Sequence, residues 1–301
     1  MATDDSSGTS PALSFGAAAQ AYDRGRPNYP REAAAWLTGD QPLSVLELGA
    51  GTGKLTQHLI ELGHSVHATD PDPKMLERLT EQFPELRVSQ TGAEEIPAPD
   101  ASFDIVIAAQ CYHWFDKEQA LPEIARVLRR GGRLSLVWNV RDERIPWVKR
   151  LGNLIGRQDV TGAGPDDALS SSPYFGPIEE QEFKHWQVVD RESIQDLVRS
   201  RSNVATLPAE AREAKIAEVL AFYDDFGRGM DGMQLPYVTR CFSLGVGIRP
   251  VSQAVGDGTA SAAGDAEDGT DGGEGSGPEA IAPILEPPTD DDSGMLLIDF
   301  R

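Results

Sequence analysis

Four short apolar runs punctuate the first half of the chain: PLSVLELGA (42–50), HSVHATD (64–70), FDIVIAAQ (103–110) and GGRLSLVWNV (131–140). Each has the length and aliphatic content of a strand buried on both faces. Between them lie stretches with apolar residues at helical spacing: KLTQHLIELG, DPKMLERLTEQF and ALPEIARVLRRGG. Gly63 and Gly131 stand where helix C-terminal caps belong. Strand alternating with helix predicts an α/β fold, a doubly wound parallel sheet with right-handed crossovers. Such sheets bind ligands at the carboxyl ends of their strands.

Farther along, AEAREAKIAEVLAFYDDF reads as an amphipathic helix, and EEQEFKHWQVVD and YVTRCFSLGVGI read as two more strands. The pattern then stops. GDGTASAAGDAEDGTDGGEGSGPEA has no aromatic residue and no periodicity, so it cannot bury enough apolar surface to offset its ordering entropy. The expected organisation is a polar, disordered N-terminus (1–14), one globular domain (15–250) and a disordered acidic tail (251–301). The tail ends in MLLIDF, either a solvated end or a docking peptide for a partner.

Charge narrows the function. The 301 residues carry a formal net charge of -21, of which the tail holds about half. Nucleic acid and anionic membrane are poor partners for such a chain. The 2 Cys, Cys111 and Cys241, are far apart, which suits a reducing compartment. The N-terminus lacks a basic and apolar leader, and no run reaches the roughly 20 apolar residues of a membrane span. A cytoplasmic location is expected. The 5 His show no metal-ligand spacing, so no metal is expected.

The chemistry concentrates at VLELGAGTGKLT (45–56). Three glycines, Gly49, Gly51 and Gly53, with Ala50 between, follow Glu47 at the end of the first run. A turn without Cβ atoms, in front of a helix N-terminus, lets a ligand lie on the backbone. Dinucleotides use G-x-G-x-x-G; here the spacing is E-x-G-x-G-x-G. A carboxylate at Glu47 repels a pyrophosphate and suits an ammonium or sulfonium. The second strand ends in Asp70, about 20 residues beyond the glycines, where a carboxylate accepts from ribose hydroxyls. Capping the next helix is the alternative role, better suited to Asp72.

These motifs, with FGAAAQAYDRGRPNYP, ATDPDPKML, TGAEEIPAPDASFDIVIAAQCYHWFD, ARVLRRGGRLSLVWNVRD and SRSNVATLP, give a chain that resembles class I S-adenosylmethionine-dependent methyltransferases of the type 11 group. More narrowly it resembles the trans-aconitate methyltransferase-like branch. The resemblance spans about Phe15 to Pro250. It implies a seven-stranded, mostly parallel, Rossmann-like sheet with a helical lid insert and one antiparallel strand, and S-adenosyl-L-methionine as cofactor.

The resemblance also implies roles. Glu47, Gly49, Ala50, Gly51, Gly53 and Gln110 would line the methionyl part of the cofactor. Asp70 would hold the ribose and Pro71 would pack on the adenine. The loop after the third strand has Gly92 where the family often has Asp, leaving Ala93 and Glu94 for the adenine. Tyr22 and Arg26 would close over the cofactor near its carboxylate, or form only a surface turn around Pro27 and Pro30. Tyr29, His113, Trp114, Trp138, Arg141 and Arg201 would face the substrate. For Trp114 the alternative is core packing, for Arg141 a solvated charge, and for His113 a structural hydrogen bond. His113 would serve as general base for a hydroxyl acceptor, whereas a carboxylate acceptor needs none. The function expected is methyl transfer to a small-molecule carboxylate or hydroxyl by in-line displacement. The rivals are a non-catalytic cofactor-binding module and, against the sense of Glu47, an NAD(P)-dependent reductase.

Overall fold

A seven-stranded sheet organises the protein in a computed structural model, which describes residues 24–156, 163–201, 204, 207–226 and 232–247. The described elements are α1 (Arg31–Thr38), β1 (Ser44–Leu48), α2 (Lys54–Glu61), β2 (Ser65–Asp70), α3 (Pro73–Gln82), β3 (Arg87–Gln90) and β4 (Phe103–Ala109). There follow α4 (Lys117–Val127), β5 (Leu128–Arg141), α5 (Pro146–Ile155), α6 (Asp167–Ser170) and β6 (Phe175–Val189). The last are α7 (Ser193–Arg199), α8 (Ala209–Phe226) and β7 (Met233–Val246).

The strand order is β3-β2-β1-β4-β5-β7-β6. The strands from β3 across to β5 pair in parallel, and β7 is antiparallel to both β5 and β6. The expected seven-stranded, mostly parallel α/β architecture is therefore present. The order reverses at β1 and β4, so the crevice at their carboxyl ends is where a ligand belongs.

Side-chain alternation divides the core between the two faces of the sheet. Leu46, Leu48, Val106, Ala108, Leu134, Leu136 and Trp138 pack on one side with Ile124 of α4. Val45, Ile105, Ile107 and Val137 pack on the other with Ala33 and Leu37 of α1 and Leu55 and Leu59 of α2. A separate cluster joins α5, α7 and α8 to the start of β7, through Leu151, Ile155, Leu197, Ile216, Val219, Phe222 and Tyr237. Ile216, Val219 and Phe222 recur every third residue, the stripe that the amphipathic reading of α8 predicts.

Asp72 caps α3 by accepting from the Lys74 N–H at 2.9 Å, with Pro73 in the first turn. Gly63 has φ +85° just past α2, where the Ile60 carbonyl accepts from its N–H. The expectation for Gly131 fails. Helix α4 ends at Val127, and Leu128 already pairs with Phe103 in the sheet. The register then shifts between Phe103 and Ile105, and Gly131, at φ +79°, lies in that irregular stretch of β5.

Candidate active site

Glu47 occupies an odd position in β1, so it shares the face of Val45 and points toward α2 rather than solvent. It is buried, and the Thr56 hydroxyl donates to its Oε2 at 2.6 Å. Its Oε1 is buried with no hydrogen-bond partner among the described residues. Burial pushes the carboxyl up to about 8, the Thr56 hydrogen bond opposes this, and the Asp70 charge adds to it. Burial therefore favours the protonated form of Glu47 as the site stands.

The turn that follows explains its glycines. Gly49, Gly51 and Gly53 have φ of +65°, +59° and +95°, all left-handed. They differ in what a side chain would meet. A Cβ on Gly49 would come 2.7 Å from Cys111 Sγ, and one on Gly53 would come 2.6 Å from Leu79 Cδ1. A Cβ on Gly51 would meet nothing within 4 Å. Gly51 is therefore the position where bare backbone faces open space, while Gly49 and Gly53 are also required by packing.

Asp70 closes β2 against this turn. Its Oδ2 accepts from the Gly51 N–H and its Oδ1 from the Asp72 N–H, both at 2.9 Å. Burial pushes it up to about 6 against those two hydrogen bonds. Each oxygen keeps a second lone pair for another donor. Across the crevice Gln110 holds φ +62°, rare for a residue with a side chain, and its Nε2 donates to the Asn139 carbonyl at 3.1 Å. Asn139 in turn donates to the Asn28 carbonyl at 3.1 Å and accepts from Thr239 at 2.6 Å. This chain of bonds ties the segment entering α1 to the middle of the sheet.

Arg26, Tyr29, Glu47, Gly49, Ala50, Gly51 and Gln110 line one cleft, together with Pro27, Thr52, Lys54, Leu55 and Ala109. Seven of the residues singled out in the sequence are thus brought together. A cationic nucleoside fits this lining on two observations: the buried Glu47 Oε1 with no partner among the described residues, and the open space over the bare Gly51 backbone.

The remaining sequence-predicted residues lie elsewhere. Tyr22 falls outside the described residues. Gly53 is the N-cap of α2, and half-buried Pro71 gives its carbonyl to Gln90 at 3.3 Å. Ala93 is buried in the sheet core, and Glu94 accepts from the Asp116 N–H at 2.9 Å while its other oxygen lies over Gly92. His113 and Trp114 sit together in a short 3₁₀ turn, Tyr112–Trp114, with ring centroids 4.8 Å apart. Trp114 is 43% exposed, so the core-packing alternative does not hold for it.

Two expectations on β5 need correction. Trp138 is core: its even position places it with Leu134 and Leu136, edge-on to Tyr112 and Phe242. Arg141 is not a solvated charge: it is 2% exposed, and its Nη2 donates to the Gly156 carbonyl at 2.9 Å. Half-buried Arg201 donates to the same carbonyl at 3.4 Å, and half-buried Arg26 donates to the hydroxyl and carbonyl of the neighbouring Ser200 at 3.2 and 3.0 Å. Sequence reasoning missed Tyr237, which pairs with Arg141 across the antiparallel ladder, and Thr56 beneath the turn. Among the described residues no group of His, Cys, Asp and Glu side chains could hold a metal ion, and no helix is long and apolar enough to cross a membrane.

Comparison with known proteins agrees with this geometry. Residues 46–136 match a family model described as a methyltransferase domain. A methyltransferase of Mycobacterium tuberculosis, named as uncharacterized, is 44% identical over 232 residues, covering 76% of this chain and 94% of that protein. A methyltransferase-like protein of Schizosaccharomyces pombe is 35% identical over 234 residues, covering 74% and 91%. Among solved structures, one from Anaeromyxobacter dehalogenans, named as a candidate type II methyltransferase, aligns with a TM-score of 0.52 at 24% identity. It covers 74% of this chain and 97% of that one, and shows the shared fold.

Proposed function

This chain belongs to the class I S-adenosylmethionine-dependent methyltransferases, and from that premise we propose that it methylates an oxygen, carboxylate or hydroxyl, of a small-molecule acceptor. One observation carries the reading: the unsatisfied Oε1 of Glu47 lies buried beside a cleft whose floor, at Gly51, is bare backbone. When bound, S-adenosylmethionine supplies a methyl group on a positively charged sulfur, which becomes a neutral thioether as the methyl leaves in line.

This chain's residues bind and orient. Glu47 accepts from the cofactor's ammonium and stabilises its positive charge. Gly49, Ala50, Gly51 and Gln110 form the wall along the methionyl portion, and Arg26 faces its carboxylate, with Tyr22 assigned to the same closure. Asp70 holds the ribose hydroxyls on its remaining lone pairs. Pro71, with Ala93 and Glu94 in the following loop, borders the adenine. Because positive charge disappears during transfer, alignment in a water-poor cleft supplies most of the rate gain. His113 and Trp114 mark the rim where the acceptor enters, and His113 is needed as a base only if that acceptor is a hydroxyl. The expected location is the cytoplasm, with no nucleic-acid partner.

A finer placement in the trans-aconitate methyltransferase-like branch rests on the entry segment FGAAAQAYDRGRPNYP and on SRSNVATLP. We also assign the catalysis to residues 15–250. A chain ending at Val251 keeps full turnover on this reading, and loss of turnover would refute that division. The function itself is tested by incubating the full chain with methyl-labelled S-adenosylmethionine and a small-molecule extract. Label in one low-mass product supports the proposal; label confined to protein or nucleic acid refutes it.

A further inference from the structure

β6 is the last strand at one end of the sheet, and among the described residues no strand pairs with its outer edge. Its register on β7 sorts its side chains between the two faces. Phe183, opposite Thr239, packs against the core beside α1, and His185, opposite Tyr237, stacks on that ring. The even positions therefore take the other face. Ile178, Glu180, Glu182, Lys184, Trp186 and Val188 are all exposed there, Trp186 at 61% and Val188 at 60%. Exposed apolar side chains on an edge strand favour pairing, because its outer N–H and C=O groups form a template for another chain.

Charges on an edge normally oppose pairing, since a chance partner meets them with the wrong sign. On β6 they select one partner. When a strand pairs antiparallel with its own copy about a two-fold axis normal to the sheet, residues directly opposite share a face. With that axis at Phe183, Glu182 faces the partner's Lys184, and the symmetry repeats the pair. Ile178 then faces the partner's Val188, Glu180 faces the partner's Trp186, and Phe183 faces its own counterpart. An axis one residue earlier sets Glu182 against itself, and one residue later sets Lys184 against itself. Unlike charges and apolar pairs directly opposite stabilise a ladder, and like charges destabilise it. Pairing in this register runs from Ile178 to Val188. Pro177, with no N–H to give, stands just outside it, where the register with β7 is already irregular. Arg240 of β7 lies 2.7 Å from Glu180 and 3.5 Å from Glu182, which offsets the acidic charge that two copies bring together.

We propose that the outer edge of β6 is an interaction surface for a second copy of this chain, paired antiparallel about a two-fold axis at Phe183. The sheet then continues from one copy into the other. β5 and β7 stand between this edge and the crevice at β1 and β4, so association and cofactor binding are separable.

The test is sedimentation velocity of the full chain over a range of concentrations in buffer of physiological ionic strength. The chain should pass from monomer to dimer as concentration rises. E182K and K184E should each weaken the dimer at least about tenfold, because each sets like charges opposite one another twice. The double variant E182K/K184E should restore it, since the swapped charges face each other again. All three variants should bind S-adenosylmethionine as the unaltered chain does, which also shows that they fold. Amide hydrogen exchange over residues 178–188 of the unaltered chain should slow as the dimer fills, a readout that needs no variant. A monomer at every concentration leaves the edge to another occupant and overturns the proposal. So does a dimer that ignores the single substitutions, a loss that the double variant does not recover, or protection confined to other segments.

Discussion

The Thr56 hydroxyl donates a hydrogen bond to Oε2 of Glu47 across 2.6 Å, while Oε1 of the same carboxyl group is buried with no partner among the described residues. The first turn of α2 therefore fixes the acid's orientation and leaves one oxygen for a ligand. An unsatisfied buried acceptor costs about 1–3 kcal/mol, a cost that the bound ligand's ammonium removes.

Stability should fall with rising pH because of this residue. Burial raises Glu47 from 4.5 to about 8, so the folded state holds a proton that the unfolded state releases. Its contribution is fully present below pH 4.5 and is lost as pH rises through 8. Asp70, raised to about 6, adds to the acid side of the same window. E47Q should match the unaltered protein near pH 5 and exceed it near pH 9, by an amount on the order of a few kcal/mol. Urea denaturation at the two pH values measures this, and equal stability at pH 9 would show that Glu47 ionises freely.

Asp70→Ala should weaken S-adenosylmethionine binding at least tenfold, from loss of charged hydrogen bonds of about 1.5–3 kcal/mol each. It also releases the Gly51 and Asp72 N–H groups. Titration calorimetry reads the affinity, and an unchanged value would reduce Asp70 to a structural tie.

The turn glycines should separate by mutation. Gly51→Ala adds a methyl into open space at positive φ, so the fold should lose about 1 kcal/mol while binding suffers more. Gly49→Ala also strikes Cys111 Sγ and Cβ, and its stability loss should shrink when Cys111→Gly, which removes both atoms, is added. Thermal unfolding of the single and double variants checks the coupling. Additive losses would mean that Cys111 does not set the constraint.

Trp138→Ala should cost about 3–5 kcal/mol of stability, as for a large core side chain. A loss below about 1 kcal/mol, with impaired acceptor binding instead, would return Trp138 to the substrate side.

Periodicity made most of the sheet legible, because strands buried on both faces and amphipathic helices differ so plainly in spacing. The cofactor turn was legible because its chemistry is local: Glu47, the glycines and Asp70 stand in two adjacent strand ends. The end of α4 was not, since ARVLRRGG suits a helix on local preference and only pairing of Leu128 with Phe103 draws it into the sheet. The arginine cluster was hidden for the opposite reason. Arg26, Arg141 and Arg201 meet only through tertiary folding, and Tyr237 joins them only through the β5–β7 register. Alternation along β5 did carry a usable signal. It sets Trp138 among Leu134 and Leu136, and puts Asn139 and Arg141 on the opposite face, the side Glu47 takes in β1.

The central claim is that a buried acid under a bare-backbone turn selects a cationic nucleoside. Calorimetric titration of the full chain at pH 7 with S-adenosylmethionine, and separately with NADH, tests it most directly when run in two buffers of different ionisation enthalpy. S-adenosylmethionine should bind and release protons as Glu47 ionises beside the positive charge, and NADH should not bind. Binding of NADH, with no heat from S-adenosylmethionine in either buffer, would contradict the claim.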